Sequence, residues 1–297
     1  MSTAAGEAAP RGGKHEEHRL HARDGITLFA QSWSAEGAAT GVVCVVHGIG
    51  EHSGRYGHLV SVLMRAGYYV EAFDLRGHGR SDGRRGHTPI DETMDDIELV
   101  LNDTRQRFGS IPCFLYGHSL GGLLVLAYTL HRRPPLAGVV ASGSALHTAL
   151  REQRAKVFAV RVFGRLLPRV TLPSGLDDSL LSRDPEVVAA YRADPLVHAR
   201  GSLGFARGVM SAIDWTNANA ERFPVPLLIL HGGADRLTYP AGSRAFAGMV
   251  PGDCTLNIYE GLYHEIHNEP ERQQVFFDLI HWRDAYASAS RAQQELR

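Results

Sequence analysis

The run Cys113-Phe114-Leu115-Tyr116-Gly117-His118-Ser119-Leu120-Gly121-Gly122 closes an apolar stretch with a G-x-S-x-G pentapeptide and passes at once into the apolar segment from Leu123 to Tyr128. Strand, sharp turn and helix in that order are the context a nucleophile elbow requires. The glycines have a steric reason. An elbow forces its serine into a strained backbone conformation, and Cβ atoms at 117 and 121 would crowd the neighbouring strand and helix. Ser119 is therefore the candidate nucleophile, although the pentapeptide by itself also fits a glycine-rich turn carrying an incidental serine.

The rest of the chain supplies what such an elbow needs around it. Glu17 to Ala22 and Ile26 to Trp33, joined through Asp24-Gly25, read as a hairpin. Gly41 to Val46 is β-branched without polar alternation, as expected of a strand covered on both faces. Leu59 to Met64 is helical in pattern and Tyr68 to Phe73 is a strand. Met94, Ile97, Val100, Leu101 and Phe108 recur at helical spacing, which predicts an amphipathic helix over 93–108. Further strands are read at Leu136 to Ala141, Pro224 to His231 and Thr255 to Tyr259, with a closing helix over 271–285. Alternating strand and helix implies a parallel sheet with right-handed crossovers. The stretch 145–223 breaks that rhythm. It reads as an inserted helical unit, with helices over 151–167, 185–193 and 203–222 and with Pro168, Pro173 and Pro195 as breakers. Leaving the sheet at the carboxyl end of a strand, it should form a cap over Ser119. The expected organisation is a tail over 1–14, core over 15–144, cap over 145–223, core over 224–286 and a second tail over 287–297.

A chain of 297 residues, 44% hydrophobic and 21% charged, can bury one large α/β core. A formal net charge of −1 offers no field to gather phosphates, so nucleic acid is excluded as a partner. The three cysteines, Cys44, Cys113 and Cys254, sit in or beside apolar runs and read as reduced thiols rather than a metal site. With no apolar leader or membrane-length span, the expected location is cytoplasmic.

A serine hydroxyl needs a neutral imidazole to take its proton, and the imidazole needs a carboxylate to fix its tautomer. In this architecture they follow in the order Ser, Asp or Glu, His. Asp235 follows a predicted strand through Gly232-Gly233-Ala234, and His264 follows the last strand through Gly261-Leu262-Tyr263. Asp253 precedes its strand and His281 lies within a helix, which places both badly; His267 is the nearest rival of His264. The backbone amide of Leu120 would supply one oxyanion donor, and that of Ile49, between Gly48 and Gly50, the second. His47 reads as a structural hydrogen-bonder.

Four stretches, His47-Gly48-Ile49-Gly50-Glu51-His52-Ser53-Gly54-Arg55-Tyr56, Gly117 to Gly122, Ala234-Asp235-Arg236-Leu237 and Tyr259 to His264, together resemble monoacylglycerol lipases and related lysophospholipases of the α/β-hydrolase superfamily. The likeness runs over roughly residues 17 to 285. It implies an α/β-hydrolase fold: a mostly parallel eight-stranded sheet, helices on both faces and an inserted helical cap. It also implies Ser119, Asp235 and His264 as triad, Ile49 and Leu120 as oxyanion donors, and Glu51, Arg55 and His267 as ligands of a glycerol head group. An alternative for Glu51 and Arg55 is an ion pair that braces their loop. Thr238 stands where mammalian members carry a cysteine near the Asp. The implied reaction is ester hydrolysis of a monoacylglycerol through an acyl-enzyme, without metal or organic cofactor. A lysophospholipase or general carboxylesterase would use the same triad, and a catalytically silent binding protein of this fold is the alternative of another class.

The cap carries its own pattern. Arg154, Arg161, Arg165 and Arg169 form a basic stripe, and Phe158, Val162 and Leu166 an apolar one. Such a helix suits peripheral contact with an anionic lipid surface, while an apolar stripe turned to the core would leave the same pattern. The sequence gives no oligomeric state.

Overall fold

Strands without polar alternation lie at the centre of the sheet, where both faces are covered. The computed structural model describes residues 13–34 and 37–295. In chain order the elements are β1 (Lys14–His21), β2 (Thr27–Ser34), β3 (Gly41–Val46), α1 (Gly57–Arg65), β4 (Tyr68–Phe73), α2 (Ile90–Phe108), β5 (Cys113–His118), α3 (Leu120–Arg132) and β6 (Gly138–Ser142). They continue with α4 (Ala149–Glu152), α5 (Arg154–Leu166), β7 (Thr171–Pro173), α6 (Pro185–Ala193), β8 (Arg200–Ser202), α7 (Leu203–Ala218), β9 (Leu227–Gly232), α8 (Pro240–Ala247), β10 (Cys254–Tyr259) and α9 (Arg272–Glu295).

The eight-stranded sheet has the order β1-β2-β4-β3-β5-β6-β9-β10. The β1–β2 hairpin pairs antiparallel at one edge, and every pairing from β4 to β10 is parallel. All residues of β3, β5 and β9 are buried. One face packs on α2 and α3 through residues such as Ile97, Leu101, Leu123 and Leu126. The other packs on α1 and α9 through Leu59, Leu63, Phe276 and Leu279. Of the five apolar positions predicted to face the core from α2, Met94, Ile97, Val100 and Leu101 are buried and Phe108 is partly so.

The chain departs from the sequence expectations at its ends and in the stretch between β6 and β9. Lys14, placed in a tail, opens β1 opposite Ser34. Residues 287–295, also placed in a tail, continue α9. Residues 1–12 and 296–297 of the two expected tails lie outside the described residues. The helix expected over 151–167 is broken at Gln153. Around Pro173, read as a breaker, the chain makes the antiparallel pair β7–β8. Proline suits this position, a three-residue edge strand, because its missing N–H is asked for nothing.

The stretch between β6 and β9 is tied to loops at the carboxyl edge of the sheet. His198 N–H donates to Gly50 O (2.8 Å), Ser202 N–H to Gly86 O (2.7 Å) and Glu265 N–H to Leu181 O (2.7 Å). Within it α5 lies against the start of α7; a Cβ on Gly164 would come within 2.5 Å of Leu203 O. The outward side of α5 is apolar, with Phe158 69% and Leu166 68% exposed. Among the described residues no helix is long and apolar enough to cross a membrane.

The tightest backbone approach beneath the elbow is between α3 and β3, where a Cβ at Gly121 would overlap the Val46 carbonyl oxygen. Gly121→Ala is expected to lower stability by about 1–3 kcal/mol or more, because backbone cannot yield as a side-chain tip can. Gly248 has helical backbone (φ −67°, ψ −15°), and a Cβ there meets nothing nearer than 3.5 Å. Gly248→Ala should stay within about 0.5–1 kcal/mol of wild type. Urea denaturation of the two variants checks both expectations.

Candidate active site

Ser119 sits between β5 and α3 with φ 55° and ψ −115°. Such a conformation costs a non-glycine residue about 1–3 kcal/mol and persists only where the surroundings enforce it. They do so here on three sides. Ser119 N–H donates to Ser142 O on β6 (2.9 Å), and Ser119 O receives Ala145 N–H (3.1 Å) and Leu123 N–H (3.1 Å). A Cβ at Gly117 would strike the Gly121 carbonyl, and one at Gly121 the carbonyls of Val46 and His47. Both elbow glycines thus have the steric role expected of them.

Asp235 lies in the loop after β9 and His264 in the loop after β10, so the parallel strands bring both to the edge that carries Ser119. His264 Nδ1 donates to Asp235 Oδ2 at 2.7 Å. Thr238 Oγ1 also donates to Oδ2 (2.8 Å), and Leu237 and Thr238 N–H donate to Oδ1 (2.8 and 3.0 Å). A carboxylate so supplied is acceptor-only, which puts the His264 proton on Nδ1 and leaves Nε2 to take another. Burial would raise the Asp235 carboxyl, yet the imidazoles of His264 and His231 outweigh it and hold Asp235 far below the usual carboxylate range. Burial likewise opposes a charged His264, and the charge and hydrogen bond of Asp235 overcome it, so the His264 pKa is raised. No hydrogen bond joins Ser119 Oγ to His264 among the described residues. Such bonds are often long or poorly aligned before substrate binds. The neighbouring His118 ring lies 4.7 Å from that of His264, centroid to centroid. Asp253 O accepts Leu227 N–H at the amino end of the strands, the wrong end for a triad, and His281 lies within α9.

The loop after β3 folds against the elbow so closely that a Cβ on Gly48 would lie 3.2 Å from Ser119 Cβ. His47 is structural, as expected: Nδ1 donates to Gly48 O (2.7 Å) and Nε2 accepts from Leu75 N–H (2.9 Å). Gly48 N–H is taken by Glu51 Oε1 (2.6 Å). The amides of Ile49 and Leu120 donate to no protein acceptor among the described residues. They are the two amides that the sequence singles out as oxyanion donors.

Glu51, Arg55 and His267 are all close to this loop but are not alike. Glu51 Oε1 also accepts Tyr56 O–H (2.7 Å), and Oε2 accepts Arg55 Nη1 (2.7 Å). Arg55 donates further to Glu265 and lies over the Tyr191 ring at 4.7 Å. These bonds match the loop-bracing alternative for Glu51 and Arg55. His267 is buried, stacked on Tyr56 at 5.0 Å, and neither ring nitrogen has a protein partner. Burial pushes its pKa down to about 4, so it is neutral at physiological pH. An unpaired buried imidazole is costly, and a ligand hydroxyl would satisfy it.

The roles of three residues of the site escape the sequence reading. Thr238 completes the acceptor shell of Asp235. His231, at the end of β9, places Nε2 3.2 Å from Asp235 Oδ2 while donating to Thr238 O (2.9 Å). Glu265 grips Arg55. Thr238 had a signal in the family resemblance, as a neighbour of the candidate Asp, and Glu265 had one as an acidic residue beside the candidate base; His231 had none. Elsewhere, His18, Glu71 and Asp103 bring ligand-type atoms within 4.8 Å of one another. Arg107 Nη1 already stands there as the cation, 3.2 Å from Glu71 Oε2 and 3.1 Å from His18 Nε2.

A family model described as Hydrolase_4, serine aminopeptidase S33, matches residues 37–271. The chain is 37% identical over 270 residues to a monoacylglycerol lipase of Mycolicibacterium smegmatis, covering 90% of this chain and 96% of that protein. It is 35% identical over 263 residues to an abhydrolase domain-containing protein of Dictyostelium discoideum, covering 87% of this chain but 28% of that longer protein. The crystal structure of Paleococcus ferrophilus monoacylglycerol lipase superposes with a TM-score of 0.79 at 36% identity, covering 92% of this chain and 99% of that one.

The raised His264 pKa fixes the sign of a pH dependence. With Ser119 as candidate nucleophile and His264 as its candidate base, phosphonylation by a fluorophosphonate should fall as pH drops through a midpoint above the ordinary imidazole value of about 6.5. Asp235→Asn removes the charge that raises it, so the acid limb should move to lower pH while the plateau rate drops. Labelling rates between pH 4 and 9 measure both; an unmoved limb in the variant would assign the titration to another group.

Proposed function

From the premise that the chain belongs to the serine aminopeptidase S33 family of α/β-hydrolases, among the relatives of monoacylglycerol lipases, we propose that it hydrolyses monoacylglycerols to fatty acid and glycerol. The observation that carries this reading is the Asp235–His264 hydrogen bond at the sheet edge where the strained Ser119 sits. In it His264 Nε2 takes the Ser119 proton as Oγ attacks the ester carbonyl. The Ile49 and Leu120 amides receive the oxyanion, and Asp235 stabilises the imidazolium. The same proton passes to the departing glycerol oxygen, leaving an acyl-enzyme. Water, activated by His264, then releases the fatty acid.

The glycerol head lies, in this reading, at the end lined by Glu51, Arg55 and His267, with His267 as direct partner because its ring nitrogens are unclaimed. Residues 145–223 form the cap, with the core before it from residue 15 and after it from 224 to 286. The exposed apolar side of α5, flanked by the exposed Arg161, Arg165 and Arg169, supports peripheral contact with an anionic lipid surface. That exposure argues against an apolar stripe turned to the core. Arg154 belongs to the same stripe in sequence; its side chain lies outside the described residues.

Ser119→Ala, His264→Ala and Asp235→Asn should each lower kcat by several orders of magnitude, non-additively, with folding retained. Mono-, di- and triacylglycerols and lysophosphatidylcholine compared as substrates decide the class, and equal turnover of the lysophospholipid would favour the lysophospholipase. His267→Ala should cost monoacylglycerol hydrolysis about ten- to a hundredfold more than p-nitrophenyl ester hydrolysis, which has no hydroxyl to bind. Equal losses on both would remove His267 from the head-group site. At the cap, Phe158→Ser with Leu166→Ser should weaken co-sedimentation with anionic vesicles, since a fully buried side chain of this kind contributes about 1.5–3 kcal/mol. Undiminished binding would exclude this face as the lipid contact.

A further inference from the structure

Glu265 follows His264 in sequence, is only 2% exposed, and has no part in the reaction as written. Its carboxylate takes two parallel hydrogen bonds from one guanidinium, Arg55 Nη1 to Oε1 at 2.7 Å and Nη2 to Oε2 at 2.8 Å. The other contact of Nη1 is Glu51 Oε2 at 2.7 Å, and Glu51 Oε1 holds Gly48 N–H at 2.6 Å. Asn268 Nδ2 donates to Glu265 Oε2 (2.8 Å), and Glu265 N–H donates to Leu181 O (2.7 Å). A chain of charge-assisted hydrogen bonds therefore runs from the residue after the base to the residue before Ile49.

We propose that Glu265 is a positioning residue for hydrolysis: by gripping Arg55, and Glu51 through it, it fixes the loop of the Ile49 amide against the loop of His264. The proposal rests on the roles given above to Ser119, Ile49 and His264. Ile49 is flanked by Gly48 and by Gly50, whose φ is 77°, so its loop has little stiffness of its own. A forked guanidinium–carboxylate pair sets angle as well as distance, which a single bond does not. Desolvating three charges makes such a network a poor source of stability; what it supplies is geometry.

It also supplies charge. Two carboxylates face one guanidinium, which leaves one negative charge in excess beside the base. The groups facing His264 are Asp235 and His231 from β9 and its loop, and His118 from the elbow. Glu51 faces it from the loop after β3, with Arg55 between Glu51 and Glu265, and Glu265 and His267 face it from its own loop. Burial pushes His118 and His267 down, so neither is charged at neutral pH. Glu265, although buried, is held down to about 2 by Arg55 and stays ionised. The excess charge thus acts with that of Asp235 on the imidazolium formed as Ser119 loses its proton.

Glu265→Gln keeps shape and an acceptor but removes the charge, whereas Glu265→Asp keeps the charge and shortens the reach. The kcat, KM and pH profile of kcat/KM are measured on a p-nitrophenyl ester and a monoacylglycerol for both variants, wild type and Ser119→Ala. Glu265→Gln should lower kcat about ten- to a hundredfold on both esters, as a misplaced reacting group does. KM for the p-nitrophenyl ester should change little, and the acid limb should move to lower pH because the imidazolium has lost a negative neighbour. Glu265→Asp should lose kcat with the limb in place. If Glu265→Gln does not fold, Arg55→Lys removes the fork while keeping the charge and should lower kcat on the p-nitrophenyl ester. Activity surviving in Ser119→Ala would overturn the role of Ser119 as nucleophile on which the clamp rests, and an inactive wild type would overturn the hydrolase reading itself. An inactive Ser119→Ala beside a Glu265→Gln variant with wild-type kcat and acid limb would overturn the clamp alone. A kcat loss that tracks a fall in Tm, with the limb unmoved in both variants, would assign Glu265 to stability only and overturn it as well.

Discussion

The closeness of α3 to β3 is the constraint on which the site depends. Gly121 rests against the Val46 carbonyl, and Gly117 against Gly121, with no space for a Cβ at either position. That contact lets the chain turn from β5 into α3 within one residue, and Ser119 absorbs the turn at φ 55°. Tight backbone packing is a stiff support, because carbonyl oxygens in a paired strand cannot move without breaking the sheet. The strain at Ser119 is held by main-chain contacts to α3, β6 and the segment after it, so the candidate nucleophile is oriented by the scaffold and not by its own side chain.

Once the elbow is fixed, the parallel sheet delivers the other groups. Strands running the same way end at the same edge, which places the loops after β3, β9 and β10 beside Ser119 although they are far apart in sequence. The environment there then separates like residues. Three buried imidazoles lie close together, yet burial drives His118 and His267 towards neutrality while the Asp235 carboxylate pulls His264 the other way. The same desolvation acts on all three; a hydrogen-bonded carboxylate at 2.7 Å sets His264 apart as the candidate base.

The stretch between β6 and β9 combines firm attachment below with apolar exposure above. Its inner contacts are backbone hydrogen bonds from His198 to Gly50 and from Glu265 to Leu181, so it bears on the loop of the Ile49 amide and on the loop of the base. Its outer surface is the face of α5 bearing Phe158 and Leu166. A helix packed through Gly164 onto the start of α7 has its small residue inside and its large ones out, the reverse of a helix built to close a core.

Periodicity and local sterics were enough to determine the order of the eight strands of the main sheet, the amphipathic α2, the steric need for glycine at 117 and 121, and Ser119 as candidate nucleophile, but not α8. Strand-end position and chain order singled out Asp235 and His264, and the flanking glycines singled out Ile49. These features are legible because each depends on residues within one element or one loop. The partners of those residues are not legible in this way. Thr238 and His231 around Asp235, Glu265 on Arg55 and the unclaimed nitrogens of His267 exist only where separate loops meet, and no spacing in the chain encodes the meeting. The stripes on α5 were plain in the sequence, but that both stay exposed while Gly164 meets α7 was decided by packing. The β7–β8 pair escaped because a three-residue strand has no periodicity to read and needs a partner 29 residues away. Local preference wrote the elements; the burial of charge between loops, a long-range energy, decided what the site became.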